Sequence, residues 1–203
     1  MPLTLKVVFI GDTKVGKTSV LRRLLGEAFD PTFIMTTARE TLKYKHFTVK
    51  KNQVVLEIWD APGFENFRTE VAYYMKNTKA VIAFFDLTNR RSYENISNWL
   101  NFIPKQQSAS QEIPSYIIGN KRDKVQQRCI STEEAKHKAL QKHSLYYETS
   151  AREDSVDHFS QIFQNIVEDV VGKNSGLIVS GSNSMENFQG TPQERWHKKC
   201  IIL

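Results

Sequence analysis

Cysteine is nearly absent from this chain: Cys129 and Cys200 are the only two among 203 residues. Two thiols so far apart argue against a disulfide framework and fit a reducing cytosol. Long apolar runs are missing as well. None approaches the ~20 residues that a membrane-spanning helix needs, and Met1 to Lys6 lack the apolar stretch of a secretory signal. The five histidines show no metal-ligand spacing. No internal repeat is visible. What is present is an ordinary globular balance, 40% hydrophobic and 25% charged, with a net charge of +6. The length suits one domain with a single large core. Excess positive charge of this size suits an acidic membrane face, a nucleic acid or a plain solvated surface.

Short apolar runs alternate with helical patterns. Leu5 to Ile10 reads as a buried strand, followed by a helix over Lys17 to Leu25. Glu40 to Val49 and Val54 to Trp59 read as a hairpin turning at Lys50, Lys51 and Asn52. Ala80 to Phe85, Tyr116 to Gly119 and Leu145 to Tyr147 are further buried strands. Ser131 to Glu134 has the form of a capping box. Val156, Phe159, Ile162, Phe163, Ile166, Val167 and Val170 make one apolar helical stripe, which reads as core. Alternating strands and helices imply a largely parallel sheet with helices on both faces and one antiparallel edge. After Gly172 the composition turns to Ser, Asn and Gly with little periodicity, so 1–172 is expected to fold and 173–203 to form a flexible tail.

Four motifs carry chemistry. GDTKVGKT, Gly11 to Thr18, follows a strand and opens a helix. In that setting the backbone N–H groups of Thr13, Lys14, Val15, Gly16 and on to Ser19 face phosphate oxygens. Gly16 permits close approach, Lys17 places a cation on the β- and γ-phosphates, and Thr18 offers its hydroxyl to Mg²⁺. WDAPGFE, Trp59 to Glu65, ends a strand with Asp60, which would hold a metal-bound water. The N–H of Gly63 would bind the γ-phosphate. NKRD, Asn120 to Asp123, ends another strand, and the Asp123 carboxylate can accept both the N1–H and the amino protons of guanine. Adenine lacks that donor pair, and such a polar mismatch can discriminate by ~10⁴. ETSAR, Glu148 to Arg152, brings Ser150, Ala151 and Arg152 to the last strand's end, with the Ala151 N–H directed at guanine O6. An ATPase or nucleotide kinase would need an adenine pocket where Asp123 sits and an acceptor lid that this length cannot supply.

The order GxxxxGKT, DxxG, NKxD, SA resembles the Ras-superfamily small GTPases over about residues 4 to 171. FRTE at Phe67 to Glu70, the stretch Phe84 to Leu100, Trp59 and Trp99 look like Rab proteins, while YYMK at Tyr73 to Lys76 looks more Ras-like. The resemblance implies a P-loop G domain: an α/β fold with a mostly parallel six-stranded sheet, one antiparallel edge strand and helices on both faces. It implies a GTP hydrolase that binds GTP or GDP with Mg²⁺, held by Thr18, Thr36 and, through water, Asp60. Thr36 would act as the switch I threonine. Phe29 would stack on the guanine ring and Lys121 would cover its other side. It further implies a monomer that binds effectors through its switch segments, exchange and GTPase-activating proteins, and a prenyltransferase, with no nucleic acid.

The departures carry their own expectations. Thr37 to Thr41 reads TARET where relatives often read IGVDF. Lys14 replaces a usual glycine. Phe64 stands in place of the glutamine that orients attacking water, and Pro62 in place of an alanine. Hydrolysis is therefore expected to be slow, and the rival reading is a GTP-loaded scaffold with almost no turnover. The final CIIL matches C-a-a-X with Leu at X, which favours geranylgeranylation of Cys200. The expected location is the cytosolic face of a membrane, with a soluble cytosolic pool.

Overall fold

The computed structural model describes residues 2–32, 42–63, 74–103 and 112–173. Six strands form one sheet: β1 (Leu3–Ile10), β2 (Leu42–Val49), β3 (Asn52–Asp60), β4 (Ala80–Asp86), β5 (Ser115–Asn120) and β6 (Leu145–Glu148). Among the described residues the helices are α1 (Lys17–Leu24), α2 (Arg90–Glu94), α3 (Ile96–Leu100), α4 (Thr132–Gln141) and α5 (Val156–Lys173), with a 3₁₀ turn at Val125–Gln127. The strand order is β2-β3-β1-β4-β5-β6. Only the β2–β3 pair is antiparallel, as the alternating pattern predicts.

The central strands are apolar throughout because helices cover both faces. Every residue of β4 is buried. The period of two then sorts each strand between two cores. Leu5, Val7 and Phe9 of β1 join Val54, Leu56 and Ile58 of β3 under the α5 stripe and Val20, Leu21 and Leu24 of α1. Val8 and Ile10 face the other way, with Val81, Ala83 and Phe85, against Tyr93, Ile96, Trp99 and the alanines of α4. Ser131 caps α4 by accepting from the Glu134 N–H at 3.1 Å, as the capping-box pattern predicts. At the last described turn of α5, Lys173 pairs with Asp169 one turn back at 2.7 Å.

The β2–β3 turn has two residues, since Val49 pairs with Asn52. Lys50 and Lys51 both have positive φ, 48° and 68°. That is the requirement of a type I′ turn, which Asn-Gly meets better than two lysines. β1 lies between β3 and β4, and the loops leaving it and its neighbours open at one edge of the sheet. Ligands of open α/β sheets bind at such a reversal of strand order. Among the described residues no helix is long and apolar enough to cross a membrane.

Candidate nucleotide site

A cavity of about 590 Å³ opens at the C-terminal ends of the strands. Its walls come from α1, the segment that follows it, and the segments at the ends of β1, β3, β5 and β6. The loop after β1 contributes Thr13, Lys14 and Gly16, and the first turn of α1 contributes Lys17, Thr18 and Ser19. Asp60 and Gly63 enter from the end of β3, Asn120, Lys121 and Asp123 from the end of β5, and Ala151 and Arg152 from the loop after β6. Phe29 lines the cavity while packing against the core. Thr36 and Phe64, with the TARET and FRTE segments, lie outside the described residues, as does Cys200.

The phosphate end is built for an anion. Gly16 caps α1 with φ near 100° and makes no side-chain cap, so the helix's first-turn N–H groups keep their usual need for acceptors. The first turn holds no acidic residue. A methyl group on Gly16 would meet Asn120 Nδ2 at 2.1 Å, so only glycine fits. Lys14 also sits at positive φ, 65°, an uncommon conformation for a long side chain. Lys17 is buried, and its ammonium donates to the carbonyls of Gly11 at 2.8 Å and Asp12 at 3.0 Å. Burial pushes its pKa down to about 8 against the opposing pull of Asp60 and Asp12. A cation held away from water beside the N-terminal turn of a helix fits a phosphate chain.

Of the three residues expected to hold Mg²⁺, Thr18 and Asp60 are described, and they fit it. Thr18 Oγ1 donates to Asp60 Oδ2 at 2.5 Å, so the two oxygens meet at one spot beside Lys17. A hydroxyl and a carboxylate are the hard ligands this ion prefers, few in number because phosphates and water complete its shell. Gly63 lies against the same loop: a Cβ there would meet Asp12 C and Thr13 N, each at 2.6 Å.

At the base end, Lys121 Nζ pairs with Asp86 Oδ2 at 2.7 Å. Ser150 Oγ donates to Asp123 Oδ1 at 2.7 Å, fixing that carboxylate by one oxygen. Val15 and Ser150 are buried and absent from the cavity wall. They act from behind it, Val15 through its carbonyl, which accepts from Asn120 Nδ2 at 2.9 Å. Asn120 Oδ1 accepts from Thr149 Oγ1 and from the Ala151 N–H, both at 3.2 Å. One amide therefore joins the loops after β1, β5 and β6, and the N–H expected to reach guanine O6 is engaged with it here.

Several supporting residues escaped the sequence reading. Asp12 accepts from Trp99 Nε1 at 2.7 Å and from Asn95 Nδ2 at 2.8 Å, pinning the phosphate loop to α3. Asp154 Oδ2 accepts from the Ser150 N–H at 2.7 Å, and its other oxygen pairs with Arg122 at 2.6 Å. Glu148 accepts from Arg128, Thr132 and Tyr146. Burial pushes its carboxyl up, but those donors outweigh burial and hold it below the usual range. No local pattern announces these contacts. The available hint was an acidic residue left unused by the first and last motifs: Asp12 in one, Glu148 and Asp154 in or beside the other.

An open, mostly parallel sheet whose strand ends share one cavity, with a glycine-capped phosphate loop entering α1, defines a P-loop G domain. The Ras family model matches residues 6–172, and the chain belongs to that family, as a Rab-like small GTPase. Ras-related protein Rab-8A of Pongo abelii is 32% identical over 203 residues, covering 98% of this chain and 96% of that protein. Ras-related protein Rab-10 of Caenorhabditis elegans is 34% identical over 169 residues, covering 83% and 81%. Ras-related protein Rab-8 of Diplobatis ommata is 30% identical over 196 residues, covering 96% and 91%.

Proposed function

We propose that this protein is a guanine-nucleotide switch that acts in vesicle traffic at cytosol-facing membranes, with slow intrinsic GTP hydrolysis. The observation that carries the nucleotide assignment is the single cavity shared by Lys17 and Thr18 at one end and Asp123 at the other. Asp123 selects guanine, Phe29 and Lys121 sandwich the base, and Asn120 with Ser150 and Ala151 keeps that end in register. Lys17 and the N–H groups from Thr13 to Ser19 hold the phosphates. Mg²⁺, when bound by Thr18, Thr36 and water on Asp60, would neutralise charge on the β- and γ-phosphates. Thr36 and Gly63 read the γ-phosphate, and the neighbouring segments present the surface that effectors, exchange factors and activating proteins use. Residues 1–172 carry these activities. The tail carries Cys200 for a prenyltransferase, and the geranylgeranyl chain tethers the protein. Extraction and identification of the nucleotide from purified protein tests the assignment. Guanine nucleotides are expected, and equal affinity for ATP and GTP overturns it.

Phe64 favours a second reading, a GTP-loaded scaffold with almost no turnover. A benzyl ring has neither donor nor acceptor with which to orient water, and Pro62 fixes its φ and removes an N–H. Single-turnover GTP hydrolysis, with and without cell extract, separates the two. Phe64→Gln is expected to raise the intrinsic rate. Hydrolysis by the unaltered protein as fast as by a glutamine-bearing Rab refutes slow turnover, and stimulation by extract excludes the inert scaffold.

A further inference from the structure

Opposite the cavity, at the N-terminal ends of the parallel strands, four separate segments bring lysines to one edge. Lys50 and Lys51 form the β2–β3 turn, Lys76 and Lys79 precede β4, Lys142 precedes β6, and Lys173 ends α5. Lys50, Lys51, Lys76 and Lys173 are exposed. Among the described residues of this edge the acidic side chains are few: Glu112 before β5, Glu168 in the last turns of α5, and Asp169, which is buried and paired with Lys173. The six strands set this row of cations across roughly 25 Å at ~4.8 Å per strand.

We infer that this edge is a docking surface for the acidic headgroups of a phospholipid membrane. Three observations select that partner. The charge is positive and spread along the sheet edge from the β2–β3 turn to the start of β6. Lys173, the last described residue, lies at this edge, and the sequence continues from it for thirty residues to CIIL. The two turn lysines occupy left-handed positions that asparagine and glycine fit better, so charge is kept there against the backbone's preference. A single lipid chain gives only marginal membrane binding, and a basic patch is one of the second signals that make it stable. The inference rests on the reading of a lipid-anchored switch but concerns different residues.

The test uses the full-length, unprenylated protein and phosphatidylcholine vesicles with and without phosphatidylserine. The unaltered chain is expected to sediment with the acidic vesicles and to be released by salt. The double variant Lys50→Asn, Lys51→Gly removes two charges while supplying the residues that a type I′ turn prefers. It is expected to bind acidic vesicles on the order of thirtyfold more weakly, at about fivefold per lysine. Its thermal stability should stay equal or rise, and its nucleotide binding should not change. Equal binding of variant and unaltered chain to acidic vesicles overturns the inference, as does equal binding to neutral and acidic vesicles. So does a variant that loses binding to a nucleic-acid oligomer while keeping vesicle binding. Cys200→Ser, followed by fractionation of cells, tests the anchor separately. An unchanged membrane pool in that experiment refutes lipidation and leaves the vesicle result standing.

Discussion

Buried polar side chains crowd the C-terminal edge of the sheet, whereas exposed lysines line its N-terminal edge. Asn120 and Asp154, both buried, and the half-buried Asp12 and Glu148 each hold two or more partners at the first edge. Removing one member of such a set leaves the others desolvated and unpaired, at about 1–3 kcal/mol each. At the second edge the side chains face water, and a substitution changes charge or turn geometry with little left behind. Function at the first edge is tied to packing. Function at the second, if charge is its currency, is separable from it.

The comparison breaks most visibly at Asp123. Asp123→Asn replaces an acceptor oxygen with a donor at the base end. Preference for GTP should fall by about 10⁴ and shift toward xanthine nucleotides, as read by competition binding. A variant that keeps its guanine preference would show that the cavity selects the base by another group. The lysines of the opposite edge should leave this measurement unmoved.

Lys17 gives a smaller effect with two signs. Lys17→Met removes charged hydrogen bonds to phosphate, each worth about 1.5–3 kcal/mol, so nucleotide affinity should fall about a hundredfold. The nucleotide-free, metal-free protein should behave oppositely. Its buried ammonium has a folded pKa of about 8 against 10.5 in the unfolded chain. Between those values the unfolded chain binds more protons, so stability should rise as pH increases from 8 to 10.5 and stay reduced below 8. The full span is at most about 3 kcal/mol. Lys17→Met should lift neutral-pH stability and abolish that slope in denaturant melts. A slope that survives in the variant would assign it to other groups.

Much of the fold is legible because its signals are local. Buried runs such as Ala80 to Phe85, the Ser131 cap and the α5 stripe each determine their own element. The strand order, β2-β3-β1-β4-β5-β6, is not among those signals, since pairing between strands far apart in sequence leaves no local mark. The motif residues are legible because they too are local: Gly16, Lys17 and Thr18 act through one loop and one helix start. What escapes is held across long sequence separations. Asp12 meets Trp99 and Asn95, Asp154 meets Arg122, and Arg128 meets Glu148, and nothing in the intervening sequence marks those pairs. Asn120 opens the NKRD motif, yet its amide joins three loops, a role visible only once β1, β5 and β6 lie together. The basic edge is hidden for a similar reason. Its lysines are scattered through the sequence, and topology alone assembles them.

The smallest effect sharpens the comparison from the far edge. Lys51 is the second residue of a two-residue turn, at φ 68°. A side chain in the left-handed region suffers crowding of Cβ against the following carbonyl, at a cost of roughly 1 kcal/mol that glycine avoids. Glycine also loses more freedom on folding, which takes back part of that gain. The balance at a type I′ second position favours glycine. Lys51→Gly should therefore stabilise the protein by up to about 1 kcal/mol, a rise of about 2–4 °C in melting temperature for a domain of this size. Lys51→Ala removes the same charge and keeps the Cβ, so it should show no such gain. If both variants stabilise equally, repulsion between neighbouring lysines and not backbone strain was the burden at this turn. GTP affinity, measured in parallel, should match the unaltered protein in both, since no hydrogen bond of the cavity walls involves this turn among the described residues.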